Sequence, residues 1–148
     1  MLLNEIDLNV IPMEPGTIII KNEEKVLTAC SFIQITGKAK TCKTNVLMSI
    51  IGGCFSDTID TLGLEIQKCP EDKHVIYVNT EMSAYDTWKH LRDLSDRIGT
   101  KPTNLHFLNE METRGEALRR KVEETILAYP PYLLVIDGIV DACEDFNN

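Results

Sequence analysis

The chain has few of the features that mark a secreted, membrane-spanning or metal-bound protein. Its five cysteines, Cys30, Cys42, Cys54, Cys69 and Cys143, are odd in number and form no CxxC pair, and His74, His90 and His106 are just as scattered. That spacing speaks against a zinc centre or a disulfide framework and leaves most of the cysteines as small core residues. Met1-Leu2-Leu3-Asn4-Glu5 has no basic start and no long apolar run follows, so neither a signal peptide nor a membrane span is expected, and the expected setting is cytoplasmic. Positive charge is short as well. Fifteen Lys and Arg against 23 Asp and Glu leave a net charge of −8, a poor balance for holding nucleic acid by counterion release. What is present is ordinary for a globular domain: 148 residues, 43% hydrophobic and 26% charged, enough for one real core.

One stretch organises the rest. Ser31-Phe32-Ile33-Gln34-Ile35-Thr36 reads as a buried strand, Gly37-Lys38-Ala39-Lys40-Thr41-Cys42-Lys43-Thr44 as a loop, and Val46, Leu47, Ile50, Ile51 and Cys54 recur at helical spacing. The loop is a Walker A pattern with one departure: Gly37, Lys43 and Thr44 fall in register, but Cys42 stands where the second glycine belongs. In such a loop, successive backbone N–H groups wrap a β-phosphate at the helix start, where the macrodipole favours negative charge. Lys43 would reach the β- and γ-oxygens, and the Thr44 hydroxyl would face a Mg²⁺ bridging them. The plainer alternative is a strand, a lysine-rich turn and a helix.

Elsewhere the periodicity is read as follows. Ile6, Leu8 and Val10 alternate with polar residues, as a half-exposed strand or a loosely held arm. Thr17–Ile20 and Val26–Thr28 flank a polar turn, predicting a β-hairpin that lids the sheet edge. Residues 52 to 73 are uninformative. His74–Asn79 is a clear strand, followed by Thr80-Glu81-Met82 and a capping box at Ser83–Asp86 that opens a helix with Trp88, Leu91, Leu94 and Ile98 on its apolar stripe. A third strand spans Asn104–Asn109. A second capping box at Thr113–Glu116 opens a helix with Ala117, Leu118, Val122 and Ile126 inward and its charges, Glu116 and Arg120 paired among them, in solvent. Tyr132–Asp137 is a fourth strand ending in a carboxylate.

Strands and helices therefore alternate from Ser31 onward, and the strands are rich in branched apolar residues. That predicts an α/β domain, three-layer α-β-α, with a mostly parallel sheet preceded by an N-terminal hairpin. Two units are expected: 1–29, the arm and hairpin, and 30–148, the sheet domain. Parallel strands bring their carboxyl ends to one edge, where ligands gather. Lys43 and Thr44, Glu81 and Asp137 can thus converge. Phosphoryl transfer needs those roles: a lysine for the γ-phosphate, a hydroxyl and a carboxylate for the metal, and a second carboxylate to position water. Taken singly, Asp137 could be a turn former and Glu81 a first-turn charge.

Tyr77-Val78-Asn79-Thr80-Glu81-Met82-Ser83 resembles the strand-end Glu-Met-Ser of DnaB-type replicative helicases. The order Walker A, strand-end Glu, Walker B is that of RecA-like ATPases. The loop Thr36–Thr44, with Val135-Ile136-Asp137-Gly138-Ile139-Val140-Asp141, resembles the RepA-like and mobilisation-associated ATPases of bacterial mobile elements. The resemblance implies ATP and Mg²⁺ as cofactors, Glu81 as catalytic base with Lys43 on the phosphates, residues Gly37, Lys38, Ala39, Lys40, Thr41, Cys42, Lys43 and Thr44 around the nucleotide, and Thr44 and Asp137 at the metal. It also implies a homo-oligomer whose neighbour lends an arginine finger, and a role in DNA handling through other regions or subunits.

Two departures temper these expectations. Cys42 either crowds the nucleotide or is tolerated if its φ is negative, and it is either a thiol that nucleotide protects from alkylation or a small space-filler. Only eleven residues follow Asp137, whereas RecA-like folds continue, with one further strand between the Walker A and Walker B strands. An N-terminal portion of the fold is therefore expected, with a gap or changed order in its sheet. Asp141, Glu144 and Asp145 are then site residues or a solvated end. The rival functions are a small-molecule kinase, for which no basic lid segment is evident, and a nucleotide-binding or assembly module whose altered loop has lost hydrolysis.

Overall fold

The computed structural model describes residues 13–36 and 42–138. The arm at Leu2–Val10, the loop residues Gly37 to Thr41 and the acidic tail lie outside the described residues. The elements in chain order are β1 (Thr17–Lys21), β2 (Glu24–Thr28), α1 (Lys43–Gly53), β3 (Glu65–Ile66), β4 (His74–Asn79), α2 (Ala84–Ile98), β5 (Leu105–Asn109), α3 (Gly115–Ala128) and β6 (Pro131–Asp137). The protein is an α/β fold with two sheets. β1 and β2 form the expected hairpin, turning through Asn22 and Glu23, both at positive φ, as a two-residue hairpin loop requires. It does not edge the parallel sheet: β1 pairs instead with β3, a two-residue strand in the stretch the sequence left unread, giving an antiparallel sheet of order β2-β1-β3.

The second sheet is parallel, of order β5-β4-β6. β4 is central, and its run His-Val-Ile-Tyr-Val-Asn is apolar on both faces because both are covered. Val75 and Tyr77 face a core shared with Ile50 and Ile51 of α1, Leu94 of α2 and Ile18 and Ile19 of the hairpin. Ile76 and Val78 face Leu118 and Val122 of α3. Helices thus lie on both faces, α1 and α2 on one and α3 on the other. α2 begins as expected, with the Ser83 hydroxyl accepting from the Asp86 N–H at 3.1 Å, and ends at Gly99 with φ 88°. Among the described residues, no helix is long and apolar enough to cross a membrane.

Several local expectations are corrected. Ser31–Thr36 is not a strand: it pairs with no strand among the described residues, Phe32 is 90% exposed, and only Ile35 packs on the core. The run's branched residues favour extension, but a strand is held by ladder bonds and pleated neighbours, and β6 stands at the sheet edge without it. Trp88 is half-exposed, and Thr87 takes the buried place beside Leu94, because the stripe is one position out of phase at the first turn. The second capping box does not form. Arg114 is the N-cap of α3, and Thr113 donates to Glu110 at 2.6 Å instead. On α3 itself Ala117 is exposed, and Glu116 pairs at 3.6 Å with Arg119. Of the cysteines, Cys54 is buried and Cys69 half-buried, but Cys30 and Cys42 are exposed. Burial pushes the Cys54 thiol up to about 12 and that of Cys69 to about 11, as expected of inert core thiols.

Candidate functional site

At their carboxyl ends the three parallel strands finish in one register row: Asn79 of β4 lies opposite Asn109 of β5 and Asp137 of β6. An apolar strand that ends in a polar residue places it at the rim of the sheet, where side chains can meet a ligand. The start of α1 lies over this rim. Cys42 is its N-cap, Lys43 its first residue and Thr44 its second. The Thr44 hydroxyl donates to Oδ2 of Asp137 at 3.0 Å, although 93 residues separate them. The chain thereby closes the loop helix onto the strand-end carboxylate.

Asp137 is 7% exposed. A carboxylate so buried must be paired or hydrogen-bonded to stay charged, and the same Oδ2 also accepts from the Tyr77 phenol at 2.8 Å. Burial first, then the hydrogen bond and charge of Asp137 and the charge of Glu81, push the Tyr77 phenol up; it stays protonated and can only donate here. Thr80 adds a backbone clamp: its N–H reaches the Asp137 carbonyl at 3.1 Å, and its hydroxyl bonds the carbonyls of Asp137 and Gly138, each at 3.0 Å.

Asn79, fully buried, shapes the turn that carries Glu81. Its Oδ1 accepts the N–H groups of Glu81 at 3.2 Å and Met82 at 2.9 Å, and its Nδ2 donates to the Met82 carbonyl and the Thr87 hydroxyl. Asn109 bonds the same two acceptors from the next strand. Glu81 itself is exposed at the rim, and its charge reaches Tyr77. Of the residues the sequence picked out, Thr44 and Asp137 meet, Lys43 opens the helix above them, and Glu81 stands on the neighbouring strand end. Gly37, Lys38, Ala39, Lys40 and Thr41 lie outside the described residues.

Cys42 adopts a backbone shape that glycine takes more readily than other residues. Its φ of 60° and ψ of 22° lie in the left-handed region, not at the negative φ that would make a Cβ easy to accept. Its side chain is exposed and caps no backbone N–H. Tyr77, Asn79, Thr80 and Asn109 escaped the sequence reading. The signal available was the polar residue closing each apolar strand, Asn79 and Asn109 as well as Asp137.

Whether the residues suit Mg²⁺ turns on their donor chemistry. A hydroxyl and a carboxylate are hard oxygen donors, and Mg²⁺ in nucleotide sites takes one or two protein oxygens and completes its shell from phosphates and water. No group of three His, Cys, Asp or Glu is placed to hold a metal among the described residues, which is compatible with that mode. A shallow cavity of about 260 Å³, lined by Gly53, Ile59, Leu64 and Lys68 among others, lies at the opposite end of α1 from Thr44. No protein-family model, curated protein or solved structure matches the chain.

Proposed function

We propose that this chain is a P-loop nucleotide-binding domain of the RecA-like kind that binds and hydrolyses Mg²⁺-ATP. The observation that carries the reading is the bond between Thr44, second residue of the loop helix, and Asp137, last residue of an apolar parallel strand. A hydroxyl that gives its proton to a buried carboxylate turns its lone pairs outward, the arrangement that a nucleotide-bound Mg²⁺ requires of its serine or threonine. When bound, the Mg²⁺-ATP complex supplies the reacting phosphoryl group and neutralises its charge. The chain's own residues do the rest: the α1 N-terminus and Lys43 hold the phosphates, Thr44 and Asp137 orient the metal's shell, and Glu81 accepts the proton of the attacking water.

The larger role follows from the resemblance to helicase and mobilisation ATPases: DNA replication or mobilisation of a mobile element, in a homo-oligomer. With a net charge of −8, DNA contact falls to other regions or subunits.

One observation favours a second reading. Ser31–Thr36, which precedes the motif, pairs with no strand among the described residues, and a segment outside the sheet ladder at that place suits a nucleotide-binding or assembly module without hydrolysis. Phosphate release from purified chain separates the two. The ATPase reading predicts release that Glu81→Gln abolishes while ATP binding survives; the module reading predicts binding or assembly with no release from either chain.

A further inference from the structure

Tyr77 is the largest fully buried side chain among the described residues, and packing alone does not account for its hydroxyl. Its ring lies against Phe107 with centroids 4.7 Å apart, on the sheet face shared with α1 and α2. Phenylalanine would fill that space equally well. The hydroxyl instead reaches diagonally from β4 to the end of β6, where it shares Oδ2 of Asp137 with Thr44.

We propose that Tyr77 is a positioning residue for Asp137: its phenol O–H pins Oδ2 at the point where Thr44 donates, which fixes the direction of the Thr44 lone pairs toward a nucleotide-bound Mg²⁺. This rests on the Mg²⁺-ATP reading of the same site. A carboxylate held only by Thr44 could rotate about its side-chain torsions, and the hydroxyl it orients would rotate with it. With Tyr77 fully buried and its ring against Phe107, the second bond to the same oxygen removes that freedom before any ligand arrives, which is the preorganisation that strengthens binding at no cost on arrival.

The test is Tyr77→Phe in the full chain, with ATP affinity read by calorimetry once with Mg²⁺ and once with EDTA. A hydrogen bond to a charged group corresponds to roughly tenfold or more in an equilibrium constant. Tyr77→Phe is therefore expected to lose about tenfold of the gain in affinity that Mg²⁺ brings, with its metal-free affinity within about twofold of the parent's. In an Asp137→Asn background the same change should have little further effect, because the acceptor it holds is altered.

An undiminished Mg²⁺ gain in Tyr77→Phe overturns the proposal and leaves the nucleotide reading standing. Equal losses with and without Mg²⁺ overturn it too, since they mark a packing role. A parent chain that binds no ATP in either condition overturns both. Fluorine NMR of the fluorotyrosine-labelled parent, with Tyr85, Tyr129 and Tyr132 assigned by single replacements, gives a readout that does not depend on the variant folding. The Tyr77 resonance should shift with Mg²⁺-ATP and not with ATP in EDTA; no difference between the two contradicts the proposal.

Discussion

Thr44 and Asp137 meet side chain to side chain at 3.0 Å, and that bond ties the first helix of the domain to its last described strand. Because Asp137 is buried, the bond also contributes to folding. Thr44→Val keeps the shape and removes the donor, so it is expected to lower stability by about 1 to 2 kcal/mol in urea unfolding without ligand. An unchanged midpoint would mean the contact contributes nothing.

Cys42 in the left-handed region costs the chain roughly 1 kcal/mol that glycine would not incur. Cys42→Gly should therefore be more stable by up to about 0.5 kcal/mol, once the larger unfolded-state entropy of glycine is set against that cost. Cys42→Val, with a branch at Cβ, should be less stable than the parent. Denaturation midpoints of the three chains check the order.

Much of the fold was legible because its strands and helices carry strong periodic signals. The hairpin, β4, β5, β6 and all three helices sit where the apolar patterns put them, and Ser83 caps α2 as its spacing to Asp86 implies. What failed to read was decided by tertiary contacts. Ser31–Thr36 has the composition of a strand and no ladder partner among the described residues. Thr113 had a capping partner in Glu116 by spacing but bonds Glu110 instead. β3 is two residues long and exists because β1 offers it an edge. At the site, Thr44, Glu81 and Asp137 stood out by motif, whereas Tyr77 and Asn79 read only as members of a strand. Their hydrogen bonds to Asp137 and to the Glu81 turn depend on strand register, which the sequence alone does not specify.

The carboxyl end of α1 packs too closely for added bulk. A Cβ on Gly53 would stand 2.8 Å from Cδ1 of Ile66 and 2.8 Å from Cγ2 of Thr61. Overpacking of this kind costs roughly 1 to 3 kcal/mol, more than the ~1 kcal/mol that alanine gains in helix propensity. Gly53→Ala should therefore be destabilised, by up to about 2 kcal/mol in the same unfolding assay.

A second polar cluster, at the opposite end of the sheet, predicts a pH response. Nδ1 of His74 and Nε2 of His106 are 3.0 Å apart on adjacent strands, with the Tyr129 ring edge-on to His74 and tilted against His106. Burial, then the charges of His74 and Lys101, hold the His106 pKa below its ordinary 6.5. The unfolded chain therefore takes up a proton at higher pH than the folded one. This contribution to stability is complete above about 6.5 and is lost as pH falls through the lower folded value. The urea midpoint should drop between pH 7.5 and 5.5, and by less in His106→Gln. An equal drop in both chains would assign the acid sensitivity to other groups.

The most direct test of the account is calorimetric titration of Mg²⁺-ATP into the parent chain beside Lys43→Ala. The account predicts saturable binding, micromolar in order, that the parent shows and Lys43→Ala loses, with a weaker response when Mg²⁺ is withheld. Absence of binding to the parent, or equal binding by both chains, would contradict the placing of phosphates at the α1 N-terminus.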